Sequence, residues 1–372
     1  VDLENATEQE LWTASAREEG LSRARVLQQL GLRLYKRGAY DEAAATNDTA
    51  ADLFREAGEP QDEAWCRYGV AYSLRDLQRW PEARDAFTAA AELFRIAGKE
   101  DEVASAVQLC GQCCSEIGEH EQALAHWDTA ANLYIAADDL DGAARARYLR
   151  GELLGYLGRQ SLALEEFRRV RDLYRRRGDA ASVAQTDDRI AAALIDLGDV
   201  AEAIEVLRAA LHVTETFDDV DRLAYATWRL GATLVMAERA DEGLTVLGRA
   251  RDLHGQQQNT LGIAQCDLQA ANAMSQLGRI DEAVELYEKV VHLFDALGRD
   301  SDVLIAEANL ANAYARAGDE ERAADVNHRT MERARQIGES QVQARVATRL
   351  ARNLIELGRP NEALEVLSAN PL

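Results

Sequence analysis

The sequence predicts an all-α chain, a solenoid of about nine helix-turn-helix units, and three observations predict it. Glycine returns every forty residues, at Gly38, Gly118, Gly158, Gly198, Gly278, Gly318 and Gly358, with Gln78 and Glu238 in the two vacant places. Five residues after each comes alanine: Ala43, Ala83, Ala123, Ala163, Ala203, Ala283, Ala323 and Ala363, with Gly243 as the exception. Between these marks, apolar residues recur at steps of three and four, the period of one helix face. A repeat of roughly 20 to 50 residues signals stacked supersecondary units. A hydrophobic content of 47% with four prolines fits ordered helices rather than disorder. A chain of 372 residues would ordinarily suggest two domains. A solenoid grows by stacking, however, and has no single-core limit.

Residues 261–300 display one unit. Ile263, Ala264, Ala270, Ala271, Met274 and Leu277 trace the apolar face of a first helix, A, and Gly278 supplies the left-handed residue that ends it. Ile280, Ala283, Val284, Leu286, Tyr287, Val290, Val291 and Phe294 give the second helix, B, a wide apolar face, and Gly298 ends that one. This second stop recurs at Gly58, Gly98, Gly178 and Gly338, with Asp138 and Asp218 standing in elsewhere. On helix A a small residue recurs (Gly31, Ala71, Gly111, Gly151, Ala191, Gly231, Ala271, Ala311, Ala351). Facing the alanine series on helix B, it lets the two helices pack closely. Four residues past those alanines a bulky side chain plugs the gap: Phe87, Trp127, Phe167 and Tyr287, or Leu207 and Leu247. A later aromatic (Phe54, Phe94, Tyr134, Tyr174, Phe294) points toward the next unit.

The expected organisation is an N-terminal capping helix in residues 1–23, then one solenoid over 24–372. Its units are 24–63, 64–103, 104–143, 144–183, 184–223, 224–263, 264–303, 304–343 and a truncated 344–372. The capping helix covers residues 7–19, with Leu11, Trp12 and Ala14 on its inner face. The last helix, residues 360–368, is short and no polar capping helix follows it, whereas end units normally carry a solvated outer face. Leu364, Leu367 and Leu372 are then either partly exposed or docked. A homo-oligomer through this end is preferred over a frayed end.

The net charge of −23 argues against direct contact with nucleic acid, whose phosphates want a basic face. Much of the acid falls where helices begin, as at Asp41 and Glu42, Asp62 and Glu63, Asp101 and Glu102, and Asp281 and Glu282. There it answers free N–H groups and the positive end of the helix dipole, so part of the charge is structural. Three of the 42 basic residues are lysines (Lys36, Lys99, Lys289), a bias that points to a GC-rich, bacterial coding sequence. No apolar run approaches the roughly 20 residues that span a membrane, and no basic-then-apolar leader opens the chain. Five cysteines in a long helical chain point to reduced thiols and a cytoplasmic setting.

The pattern resembles the tetratricopeptide repeat: a bulky residue before Gly or Ala on helix A, Gly at the turn, Ala early on helix B, an aromatic four later and Ala three later. The last of these is Ala50, Ala90, Ala130, Ala210 and Ala250 here. The usual repeat has 34 residues, so this looks like a longer, forty-residue variant, covering roughly residues 24–370. It departs at Thr330 and Asn370 and lacks the family's loop proline. The resemblance implies a right-handed α-solenoid whose concave groove, lined by the A helices, binds a protein or peptide. Carried along the chain, the groove positions are Trp65, Tyr68, Tyr72, Gln108, Gln112, Tyr148, Arg189, Tyr225, Trp228, Arg229, Gln269, Asn272, Asn309 and Asn312, with Tyr156 and Arg349 beside them. Tyr, Trp and Arg anchor interfaces, and Asn and Gln can pair with an extended backbone. The competing reading is that these aromatics only fill space between neighbouring A helices. The family's carboxylate clamp needs basic and amide groups where this chain has Gln28, Leu32, Gly69 and Ser105, so that activity is not carried over.

Nothing in the sequence points to catalysis or to a cofactor. Cys110, Cys113 and Cys114 have no second pair to complete a zinc site and match core positions. The six histidines are scattered through different units. Glu165 and Glu166 read as ordinary solvated helix residues. No phosphate-binding glycine loop is present. The expected function is therefore a protein- or peptide-binding adaptor or scaffold. Two alternatives stand beside it: a signalling-peptide sensor acting through a separate effector protein, and a structural subunit assembling through its C-terminal end.

Overall fold

A computed structural model of the chain describes residue 3 and residues 6–370. Among them run nineteen α-helices and no strand. α1 (Glu8–Ser15) precedes alternating A and B helices. The A helices are α2 (Gly20–Lys36), α4 (Pro60–Asp76), α6 (Glu100–Glu116), α8 (Leu140–Tyr156), α10 (Ala180–Asp196), α12 (Val220–Met236), α14 (Thr260–Gln276), α16 (Asp300–Arg316) and α18 (Ser340–Glu356). The B helices are α3 (Tyr40–Ala57), α5 (Trp80–Ile96), α7 (His120–Ala136), α9 (Gln160–Arg177), α11 (Val200–Thr214), α13 (Ala240–Gln256), α15 (Ile280–Ala296), α17 (Glu320–Gln336) and α19 (Pro360–Ala369). Every A helix starts forty residues after the one before, as the glycine echo requires.

The turns show why the echo is so regular. At Gly278 the backbone swings to φ 77°, its N–H donates to the Ser275 carbonyl at 3.2 Å, and the Arg279 N–H reaches the Met274 carbonyl at 2.9 Å. Two orphan carbonyls of α14 are thereby satisfied in a Schellman arrangement. Gln78 and Glu238 make the same turn at φ 58° and 59°, although an L side chain is strained there. Asp138 also stands in as expected, at φ 57°. Asp218 does not adopt this geometry: α11 stops early, at Thr214, and the chain turns through residues 215–219 instead. Among the described residues the fourth non-glycine one in this conformation is Gln258.

The chain divides into two compact units, Val1–Ala193 and Leu194–Leu372. In the first, each helix from α1 to α9 packs on the next. Its cores are built from alanines of both helices with large plugs between them, such as Ala64, Ala90, Phe94, Val103 and Ala130, or Ala71, Ala83 and Phe87. The contact is close: a Cβ at Gly151 would lie 2.8 Å from the Phe167 ring. In the second unit, α11 to α19 also pack in succession, around residues such as Ala271, Ala283, Tyr287, Val290 and Phe294.

α1 is shorter than expected. Thr7 and Glu10 form a reciprocal capping box at its start, and the N–H groups of Arg17 and Glu18 both close on Ala14. Leu11 and Ala14 are buried against α2, whereas Trp12, expected on that face, points outward. At the other end Leu364 and Leu367 are exposed, and Leu372 lies outside the described residues. All five cysteines are free and buried. Burial holds the thiols of Cys110 and Cys113 up at about 11 and about 12, which keeps them protonated and inert.

Glu166 corrects the sequence reading. It is 2% exposed, not solvated. Its carboxylate accepts from Arg147 at 3.1 Å, Arg150 at 2.7 Å and Arg169 at 2.5 Å, and Arg147 also reaches Asn132. One buried carboxylate thus gathers three guanidinium groups between α8 and α9.

Candidate functional site

The groove positions fall into one set in each compact unit. In the first, Trp65, Tyr68 and Tyr72 share a face of α4 because they are spaced by three and four residues. Trp65 and Tyr68 meet edge-on at 5.8 Å between centroids, and Tyr68 and Tyr72 at 4.9 Å. Their inner edges belong to the core: Tyr68 packs edge-on against Phe87 and Phe94. Their outer edges do not, and Trp65 is 40% exposed. The same side chains therefore fill space between helices and keep an exposed edge.

This aromatic wall flanks a cavity of about 460 Å³. Across it stand Gln28, Gln29, Leu32 and Tyr35 of α2, with Asn47 of α3 and Gly69 of α4 also lining it. The Tyr35 hydroxyl donates to Asp76 at 2.6 Å, and that carboxylate also accepts from Arg75. The Arg75 guanidinium in turn sits 4.5 Å from the centre of the Tyr72 ring. Burial, with the Asp76 contact, pushes the Tyr35 phenol up to about 12, so the rings present neutral surface. Sequence reasoning did not assign Tyr35, Gln29 or Asn47 to this place.

Elsewhere in the first unit the predicted residues are less concentrated. Gln108 and Gln112 lie one turn apart on α6 and are half-buried. The Gln108 carbonyl accepts from the Trp127 indole at 3.1 Å, while its side-chain oxygen is buried with no partner. Tyr148 packs against Phe167, and Arg189 lies 5.8 Å from its ring centre and 3.6 Å from Glu152. Tyr156 is fully outside this arrangement, exposed beside His120.

In the second unit Tyr225 and Trp228 meet at 5.8 Å on α12. Tyr225 is 49% exposed; Trp228 is half-buried, and its indole N–H is buried without an acceptor. Arg229 follows, half-buried. Gln269, Asn272 and Asn309 come together differently from the expectation of a peptide-pairing ladder. Asn272 donates to Gln269 at 3.0 Å, and its own oxygen accepts from Asn309 at 3.0 Å and from Tyr287 at 2.6 Å. The amides hold one another and clamp α14, α15 and α16. Asn312 and Arg349 are exposed.

Among the described residues no group of His, Cys, Asp and Glu could hold a metal ion, and no helix is long and apolar enough to cross a membrane. The arrangement offers shape, aromatic surface and amides.

Comparison with known proteins agrees with this architecture. The family model for soluble NSF attachment protein, SNAP, matches residues 36–217, and one for the tetratricopeptide repeat matches residues 265–295. No curated protein sequence matches the chain. The crystal structure of the apo form of RapI aligns with a TM-score of 0.62 at 12% identity, over 89% of this chain and 97% of that one. Aspartyl phosphate phosphatase F from Bacillus subtilis aligns with a TM-score of 0.57 at 14% identity, over 95% of each chain. Repeat period, helix pairing, family models and solved neighbours agree, and the chain is a tetratricopeptide-type repeat protein.

Proposed function

We propose that the protein is a protein- or peptide-binding adaptor or scaffold, and that its partner lies in the groove lined by the A helices. The observation that carries this reading is the half-exposed wall of Trp65, Tyr68 and Tyr72 beside a cavity. Cavities of this size with aromatic walls and few polar groups suit apolar groups of a ligand. Rigid Tyr and Trp side chains supply contact area at little entropic loss. Tyr225 and Trp228 offer a second, independent aromatic contact in the other unit.

Affinity capture from a bacterial lysate tests the reading with two variants, Trp65→Ala in the first unit and Tyr225→Ala/Trp228→Ala/Arg229→Ala in the second. A protein held by the wild type and lost by either folded variant is the expected result. Loss of a Trp anchor should weaken binding by about 2 kcal/mol, roughly thirtyfold. Capture unchanged in both variants would move the partner off these faces.

A further inference from the structure

Resting on that reading, we infer that the first repeat is built with its plug missing, and that the vacancy is a socket for an aromatic side chain of the partner. The position four residues beyond the helix-B alanine is filled by Phe87, Trp127, Phe167, Leu207, Leu247 and Tyr287 in six units. In the first unit it is Asn47. The neighbouring A-helix position is Gly69, where the other units carry Leu109, Leu149, Arg189, Arg229, Gln269, Asn309 or Arg349. Two side chains are thus cut back at one point, and the cavity of about 460 Å³ lies there, lined by both residues.

Asn47 occupies the foot of the plug's place. A Cβ on Gly31 would fall 2.3 Å from its oxygen, and one on Gly69 would fall 2.8 Å from its nitrogen. Its side chain therefore lies between the backbones of α2 and α4, as Phe167 lies against Gly151 in the fourth unit. It is 5% exposed, yet among the described residues it makes no hydrogen bond. At the equivalent position Asn327 donates its amide N–H to Asn353 at 2.8 Å, while its oxygen is buried without a partner among the described residues. The Asn47 amide borders the cavity, so water or a ligand there can meet it.

The shape asks for a ring, because rings fill the equivalent space in the neighbouring units and meet their tyrosines edge-on: Phe87 lies 5.5 Å from both Tyr68 and Tyr72. The electrostatics ask for a neutral one. The cavity lining carries no charged residue, and the nearby Arg75 and Asp76 are paired with each other. A phenol also offers a hydrogen bond to the Asn47 amide in the cavity wall, so tyrosine fits best.

N-acetyl-tyrosinamide is the probe, with N-acetyl-leucinamide as comparison, followed by ligand-observed NMR on the wild type, Asn47→Phe and Leu32→Glu. The first variant refills the socket from within; the second places a charge on an exposed rim residue and leaves the fold alone. The expected result is roughly millimolar binding of the tyrosine probe to the wild type, at least tenfold weaker in both variants. Asn47→Phe should also raise Tm by roughly a few degrees, as a filled cavity does. Absent or unchanged probe binding overturns the socket while leaving the proposed function standing, since that is tested by capture through Trp65 and Tyr225. Probe binding that Asn47→Phe abolishes, with capture undiminished, overturns the partner side chain as occupant and assigns the socket to a free small aromatic.

Discussion

Single residues carry most of the molecule's departures from its own pattern. Glu166 was legible in principle: with Ala163, Phe167 and Val170 it lies on the buried stripe of α9 at steps of three and four. Residue type hid it, since paired acids usually face water. Its three arginine partners come from α8 and α9, and only folding brings them together. Removing the carboxylate strands buried Arg147, so Glu166→Gln is expected to lower stability by about 3 kcal/mol in urea unfolding. A loss below about 1 kcal/mol would mean that the arginines find other partners. Glu307 is the opposite case. It is buried on α16 with one carboxylate oxygen unpartnered, and burial raises its pKa above the usual 4.5 against the pull of Thr330 and Arg333. A carboxyl raised in the fold contributes stability that is full below about pH 4.5 and is lost as pH rises through its folded pKa. Glu307→Gln keeps the neutral shape and should remove that fall. Its Tm advantage over the wild type is expected to grow as pH rises above about 4.5; a gap that does not change with pH would count against it.

At the scale of elements, the glycine and alanine echoes placed the helices well, because each mark has one physical cause. Left-handed turns want glycine, and close helix crossings want small side chains. What the echoes did not reveal is where an element is cut short. α11 ends at Thr214, and no glycine marked the change, since its usual stop was already occupied by Asp218. The non-glycine turns are the points of strain. Glu238→Gly relieves the positive φ between α12 and α13 but gives the unfolded chain more freedom. The net gain is expected to be a few tenths up to about 1 kcal/mol, read as a raised urea midpoint. A decrease would show that the Glu238 side chain makes a stabilising contact that outweighs its backbone. The candidate site was half legible at this scale. The α4 aromatics follow from helix spacing, whereas the cavity beside them depends on residues of three helices.

At the scale of the molecule, part of the acid is matched in local pairs while the excess of 23 negative charges remains. Arg239 with Glu242, Arg279 with Glu282 and Arg359 with Glu362 repeat at the starts of B helices, each within 2.7 Å. These exposed pairs set helix ends more than they stabilise the whole. A chain ending at Gly338 loses α18 and α19 and the core formed by Met331, Val346, Leu350 and Leu354. In a stacked repeat only the neighbouring layer should notice. The expected outcome is an unchanged helical signal per residue with a lower Tm; collapse to coil would mean that the second unit folds only as a whole.

The succession of packing, from α1 to α9 and from α11 to α19, also bears on how the chain is made. It leaves the ribosome amino end first, and contacts near in sequence form early. Within each run a newly emerged helix finds its predecessor's surface waiting, so little greasy face is left searching for a segment still inside the tunnel. Long pauses in translation should then be least harmful at the turns that close a B helix, such as Gly58 and Gly298, and more hazardous between the A and B helices of one pair.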